Sequence, residues 1–254
     1  KILKWKGKKP TSNLQNLARK KRYEILFKEC EKLNIKVILT GHHQDDMYET
    51  FFSRLLRGSG TEGLSSFAKI EKQFNLKNKK FKVVRPLHNL TKQDLIHVSN
   101  IAFKFYVKDP SNELDRFQRV RIRKLISNLK KEGLDFRKLN LTINNLAATN
   151  TALNEIVKNN INKNAIYLSR KKYLINSEFF IKPEEVIFRS LSQLIKKISQ
   201  NEYPPRGKKM INLIRDLKTK QHIKVTLGGT IIEKIHNSVI VSKEKTKNIK
   251  FATI

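Results

Sequence analysis

The chain has 254 residues, 39% of them apolar, and sets 54 Lys and Arg against 22 Asp and Glu for a formal net charge of +32. That length supports one large domain or two modest ones, and the charge calls for a polyanionic partner, most simply nucleic acid, although lysines in Lys/Asn-rich loops account for part of it. A single cysteine, Cys30, excludes an internal disulfide or a paired-cysteine zinc site and fits a reducing cytosol; no run matches a transmembrane helix, and the first residues carry no signal-peptide pattern.

Ile2 to Trp5 alternate weakly and read as a strand end, followed by a loop from Gly7 to Pro10. Ser12 is an N-cap for a helix expected over 13–33, with an apolar stripe of Leu14, Ala18, Ile25, Leu26 and Leu33. Arg22 falls inside that stripe and Arg19 at its border. A buried arginine without a partner is costly, so Arg22 either snorkels to solvent or aims at the crevice where the next strand ends. That strand, Val37-Ile38-Leu39-Thr40, reads as buried and parallel.

The next stretch, Gly41-His42-His43-Gln44-Asp45-Asp46-Met47-Tyr48-Glu49-Thr50, places five ionisable or metal-capable side chains within eight residues. Met47, Tyr48, Phe51, Phe52, Leu55 and Leu56 recur at helical spacing. The polar cluster therefore stands where a strand ends and a helix begins, which is where open α/β sheets bind ligands. At about 100° per residue, His42, Asp46, Glu49 and Ser53 share one face, opposite a Met47, Phe51 and Leu55 stripe expected to face the sheet. Complementing the helix dipole explains Asp45 or Asp46 singly, and packing explains either histidine. Neither explains three such groups on one face, which reads as a site.

Arg57-Gly58-Ser59-Gly60-Thr61-Glu62-Gly63-Leu64 contains GxGxxG, but it ends a helix instead of following a strand. It reads as a glycine C-cap, with Arg57 and the following amides available to an anion. Residues 69–80 read as a polar loop and Phe81 to Val84 as a strand closed by Arg85-Pro86-Leu87. Thr91 caps a helix to about Ala102, Phe103 to Val107 read as a strand, and Asp109-Pro110-Ser111-Asn112 as a turn. Arg119, Arg121 and Arg123 alternate with Val120 and Ile122. They point one way if extended and fan out if helical. They suit a phosphate clamp; a solvated basic face is the competing reading, strongest for Arg123.

Composition shifts after residue 125. Residues 124–163 read as helical, with Ile143, Leu146, Leu153 and Val157 in the stripe. Ile166 to Leu168 and Tyr173 to Ile175 suggest a hairpin. Pro183 opens an amphipathic helix using Ile187, Leu191, Leu194, Ile195 and Ile198. A basic loop from Tyr203 to Lys209, a helix over Met210 to Lys218, and a β-meander of Ile223–Leu227, Thr230–Ile235 and Val239–Val241 follow. No catalytic constellation comes after Arg123. The division expected is an α/β domain over 1–125, a basic helical and β recognition domain over 126–245, and a lysine-containing tail over 246–254.

Ala18-Arg19-Lys20-Lys21-Arg22-Tyr23, the Gly41 to Thr50 stretch, Arg57-Gly58-Ser59-Gly60 with Gly63-Leu64, Arg85-Pro86-Leu87, and Asp109-Pro110-Ser111-Asn112 with Arg119, Arg121 and Arg123 together resemble the bacterial tRNA(Ile)-lysidine synthetase family of N-type ATP pyrophosphatases. Order and spacing match over roughly the first 125 residues; Leu227-Gly228-Gly229 is the best landmark in the looser remainder. The resemblance implies an adenine-nucleotide hydrolase-like parallel sheet followed by a mixed helical and β domain. It also implies a reaction in which ATP adenylates the C2 oxygen of the wobble cytidine in the CAU-anticodon isoleucine tRNA, and the ε-amine of free lysine then displaces AMP.

On that resemblance His42, Asp46 and Glu49 are the catalytic candidates. Asp46 or Glu49 orients the lysine amine, takes up its proton or holds Mg²⁺, and His42 contacts the activated base or its phosphate. Arg22, Arg57, Arg85, Arg119, Arg121 and Arg123 are the candidates for binding triphosphate or tRNA backbone. A cytoplasmic location is expected, with no membrane partner, and a homodimer is compatible with this reading. The family's Ser-Gly-Gly-x-Asp-Ser phosphate loop has no counterpart in these residues. The expectation is therefore an N-terminally incomplete domain, lacking the first sheet strands and inactive alone. Two readings compete: a sulfur-transferring tRNA modification enzyme of the same superfamily, which a lone Cys30 disfavours, and a non-catalytic basic RNA-binding protein, which leaves the 42–49 cluster unexplained.

Overall fold

The computed structural model describes residues 2–5, 7, 14–68, 70–76, 79–107, 118–169, 171–201, 204–205 and 207–244, with main chain alone for 14–16 and 75–76. The Ser12 cap, the Asp109-Pro110-Ser111-Asn112 turn and the tail lie outside the described residues. The chain forms two compact units, Lys1–Ala148 and Thr149–Ile254.

In the first unit a long helix, α1 (Leu14–Lys32), leads to the short strand β1 (Val37–Leu39). β1 pairs in parallel with β3 (Lys79–Val84), Ile38 opposite Val83, and β3 pairs antiparallel with β2 (Glu71–Leu76), giving the order β1-β3-β2. The expected polar loop at 69–80 is therefore largely a hairpin. Phe74 stands opposite Phe81 in its ladder, and Lys82 bridges to Glu71 at 2.6 Å.

The inward face of α1 is aromatic. Tyr23, Phe27 and Cys30, one turn apart, pack with Phe74, Phe81, Val83 and Ile38, and Phe27 stacks on Phe81 at 4.8 Å. The stripe expected through Leu14 and Leu33 is thus rotated: Leu33 is exposed, and Arg22, adjacent to Tyr23, points to solvent. β1 is parallel as expected but not buried. Ile38 faces α1, whereas Val37 and Leu39 lie on the sheet's other face and are exposed, because no described element covers that side. Residues 2–5 form no strand, having no ladder partner.

Two further elements depart from expectation. Helix α2 (Gln44–Leu55) buries Met47, Tyr48, Phe51 and Phe52 against helices, not against the sheet. Its partners are α5 (Gln118–Lys131), the first turns of α6 (Phe136–Asn164) and Phe67, just beyond the short helix α3 (Thr61–Leu64); Leu55 is left exposed. Helix α4 (Lys92–Phe103) starts at a Thr91–Asp94 capping box, but the strand expected at Phe103–Val107 is absent: the helix runs to Phe103 and residues 105–107 adopt no regular structure.

The composition shift at 125 does not coincide with the division at Ala148/Thr149. Ile122, Leu139 and Ile143 belong to the α2 core, so apolar packing carries the first unit through the asparagine-rich stretch. Gly133, at φ +94°, makes the left-handed turn between α5 and α6.

The second unit is a five-stranded antiparallel sheet of order β4-β5-β8-β7-β6, from β4 (Ala165–Ser169), β5 (Lys172–Ile175), β6 (His222–Leu227), β7 (Thr230–Ile235) and β8 (Ser238–Lys243). α7 (Glu184–Ser199) and α8 (Gly207–Thr219) cover one face. Ile187, Leu191, Leu194, Ile195 and Met210 pack there against Tyr173, Ile175, Ile232, Val239 and Val241. The hairpin, both helices and the meander are the elements expected.

Gly228 turns β6 into β7 at φ +62°, and a Cβ there would lie 2.8 Å from Pro205 Cγ and 3.0 Å from Ile195 Cγ2. Gly228→Ala is expected to cost about 1–3 kcal/mol through combined strain and overlap. Chemical denaturation measures it; an unchanged midpoint contradicts the close approach.

Candidate active site

The loop from Thr40 to His43 joins the C-terminal end of β1 to α2. Thr40 Oγ1 donates to Val84 O at 3.3 Å, and His42 Nδ1 lies 3.0 Å from the same hydroxyl oxygen. The direction of the His42–Thr40 hydrogen bond follows the imidazole tautomer, Nδ1 donating when it carries the proton and accepting when Nε2 does. The His42 ring packs edge-on to Phe67 at 5.6 Å, and the Arg85 guanidinium lies 3.9 Å from the centroid of that same ring. Burial holds the His42 pKa below its ordinary 6.5, with Arg85, Arg19 and Arg119 lowering it further and Asp46 opposing them.

His43 is the N-cap of α2, and its backbone N–H donates to Asp46 Oδ2 at 3.0 Å. Asp45 instead reaches the amide of Lys92 at 2.7 Å, tying the start of α2 to the start of α4. His43 lies beside Asp45, which pushes its pKa up despite partial burial. The two adjacent imidazoles are thus driven in opposite directions. His42, depressed in the fold, contributes stability above pH 6.5 that is lost as the pH falls. His43, raised, contributes stability below pH 6.5 that is lost as the pH rises through its folded value. NMR titration of the imidazole resonances is expected to place the His42 midpoint below 6.5 and the His43 midpoint above it; coincident midpoints contradict this assignment.

Glu49 lies one turn further along α2 and is 3% exposed. Arg123 Nε donates to its Oε1 at 2.5 Å, and Arg119 Nε stands 4.0 Å from Oε2. Oε2 itself is buried with no hydrogen bond among the described residues. Because residues 118–131 are helical, Arg119 and Arg123 share the face of α5 toward Glu49, whereas Arg121 falls on another face.

Of the residues singled out from sequence, His42, Asp46, Glu49, Arg85 and Arg119 form one electrostatically connected group, and Arg123 is drawn into it through Glu49. Arg22 and Arg57 are exposed, on α1 and beyond the end of α2. Arg19, four residues before Tyr23, approaches it in place of Arg22, its guanidinium 5.3 Å from the Tyr23 ring. Sequence reading missed Thr40 and Phe67 as members, and missed Arg54, which donates to Gly63 O at 2.5 Å and to Ser66 Oγ and so folds the glycine-rich turn onto α2. A cation in the last turn of α2, ahead of open carbonyls, was the available signal. Cys30 lies in the α1 cluster, and burial, then Glu29, pushes its thiol pKa up, the reverse of an activated sulfur. Among the described residues no three His, Cys, Asp or Glu side chains gather as a metal centre, and no helix is long and apolar enough to cross a membrane.

Residues 1–129 match the model of the PP-loop domain family. The tRNA(Ile)-lysidine synthase of Orientia tsutsugamushi (strain Boryong) is 31% identical over 257 residues, covering 95% of this chain and 55% of that protein. The tRNA(Ile)-lysidine synthase of Wolbachia pipientis wMel is 28% identical, covering 97% and 56%, and that of Rickettsia bellii (strain OSU 85-389) is 28% identical, covering 94% and 54%. The chain spans about half the length of the curated relatives it matches.

Proposed function

Because this chain belongs to the PP-loop domain family, we propose that the full-length gene product is a cytoplasmic tRNA(Ile)-lysidine synthetase, an ATP-dependent carbon–nitrogen ligase acting on free lysine and the CAU-anticodon isoleucine tRNA. The observation that carries this reading is the buried Glu49 carboxylate, with Oε1 held by Arg123 and Oε2 without a hydrogen bond among the described residues, one turn beyond Asp46 on α2, the helix that follows the neutral His42. A buried carboxylate oxygen without a hydrogen bond is costly, and an ammonium group from lysine supplies the missing donors.

The reaction then runs in two steps. The cytosine C2 oxygen attacks the α-phosphate of ATP and pyrophosphate leaves. The lysine ammonium first releases one proton; the neutral ε-amine attacks C2, the C2–O bond breaks with its electron pair going to AMP, and the nitrogen then gives up a second proton. Glu49 Oε2 orients the amine. His42, its pKa held down by burial, contacts the activated base and takes up the departing proton. Arg85, Arg119 and Arg19 neutralise charge developing on phosphate, and Arg123 acts through Glu49 as a positioning residue. Arg22, Arg57 and Arg121, directed away from the group, serve the tRNA backbone.

The cap leaves Asp46 Oδ1 for Mg²⁺, which needs only one or two protein carboxylates beside phosphate oxygens and would neutralise phosphate charge. Residues 1–125 supply this chemistry, and 126–245 supply basic surface for tRNA. The test is ATP-dependent incorporation of labelled lysine into tRNA transcripts of varied anticodon by the full-length gene product. Incorporation confined to CAU transcripts is expected; none into any transcript removes the proposal.

A further inference from the structure

Between α7 and α8 the second unit has a cleft of about 500 Å³ lined by Glu184, Glu185, Phe188, Ile211, Arg215 and Lys218 among others. The core does not explain its composition. Met210, Leu213, Ile214 and Leu217 of α8 are at most 6% exposed, yet Ile211 on the same helix is 61% exposed and borders the cleft. Phe188 lies only partly in the core, so it too contributes to the lining. The floor is thus apolar, open and part aromatic.

The rim is charged and largely uncommitted. Among the described residues neither Arg215 nor Lys218 is ion-paired, since the neighbouring acid, Asp216, is held by Lys220 at 3.0 Å. Across the cleft Glu185 is held by Arg189 at 2.7 Å, which leaves the Glu184 carboxylate as an acceptor. The volume is in the range that accommodates a small ligand. Residues 149–254 carry 21 Lys and Arg against 8 Asp and Glu, so a polyanion is drawn to this unit. An apolar floor that includes an aromatic ring, two cations and the Glu184 and Glu185 carboxylates match the parts of a nucleotide: base on the ring, phosphate on Arg215 and Lys218, and a base amino group or ribose 2′-hydroxyl on Glu184. An acidic peptide offers no base to stack on the ring.

We propose that the α7–α8 cleft binds one unstacked nucleotide of the RNA substrate. This rests on the reading of the protein as tRNA-binding and adds the element by which the second unit grips the RNA.

The test uses the full-length protein and a CAU-anticodon tRNA transcript in which 4-thiouridine replaces uridine. Irradiation is expected to cross-link the RNA to the peptides containing Phe188 or Ile211. Arg215→Ala with Lys218→Ala, both surface changes, is expected to weaken binding about tenfold and to make the dependence of log affinity on log salt shallower by roughly one to two. Phe188→Leu, which keeps apolar bulk but removes the ring, is expected to weaken binding about fivefold or more. In the lysine-transfer assay the double variant raises KM for tRNA and leaves kcat unchanged. Cross-links confined to other peptides, with unchanged affinity and salt slope in the double variant, overturn the cleft assignment, including the case in which the cleft takes a peptide. The two proposals fail separately: lysine transfer without these effects overturns only the cleft, and cleft cross-links without lysine transfer overturn only the enzymatic reading.

Discussion

Glu49→Gln is expected to lower lysine transfer by about 10²-fold or more in the full-length gene product, the range lost when a positioned acid–base or orienting group is removed. Gln keeps the shape and can still accept from Arg123, but it cannot offer a charged oxygen to an ammonium group. The same substitution tests what holds α5 to α2. Glu49 is buried and Arg123 is only partly so, at 4% and 37% side-chain exposure. Breaking a fully buried pair costs several kcal/mol, and solvent screening of the arginine reduces this, so about 1–2 kcal/mol of stability should be lost. Arg123→Ala separates the two effects. It should destabilise to a similar degree while lowering transfer less than Glu49→Gln, because it leaves both carboxylate oxygens in place. Equal losses of transfer from the two variants would mean that Glu49 acts only as an anchor for α5.

Asp46→Asn is expected to have the second large effect, a reduction in kcat of about 10²–10⁴, with a smaller loss of stability than Glu49→Gln. Asn retains an oxygen for the His43 amide, so the helix cap survives in part. What disappears is the negative charge beside His42. Asp46 opposes the depression of the His42 pKa, so in the variant that pKa falls further and the acid limb of the pH–rate profile moves to lower pH. An acid limb that stays in place, or moves upward, would mean that His42 is not the group titrating.

Much of this arrangement was legible in the sequence because it is local. Glycine followed by two histidines and two aspartates, after a β-branched run and before helical periodicity, placed the polar cluster at a strand-to-helix junction, and Thr91 announced α4. Non-local packing was not legible. Arg22 and Arg19 differ by less than a helical turn, and which one approaches the crevice depends on Tyr23 and Phe27 finding Phe74 and Phe81 across the sheet. The alternation of Arg119, Arg121 and Arg123 fitted a strand and a helix equally well. Helical geometry, with Ile122 packed against α2 and α6, brings Arg119 and Arg123 together at Glu49. Phe67 gave no signal, since an aromatic after a glycine-rich turn acquires meaning only when Arg85 and His42 converge on its ring.

The most direct measurement separates the two chemical steps. Full-length protein carrying Glu49→Gln is incubated with ATP and CAU-anticodon tRNA, the adenylated tRNA is quantified, and labelled lysine is then added. If Glu49 receives the lysine amine, the variant forms adenylated tRNA at the wild-type level and accumulates it, while lysine transfer stalls. Wild-type transfer, or failure already at adenylation, would contradict the placement of lysine at this carboxylate.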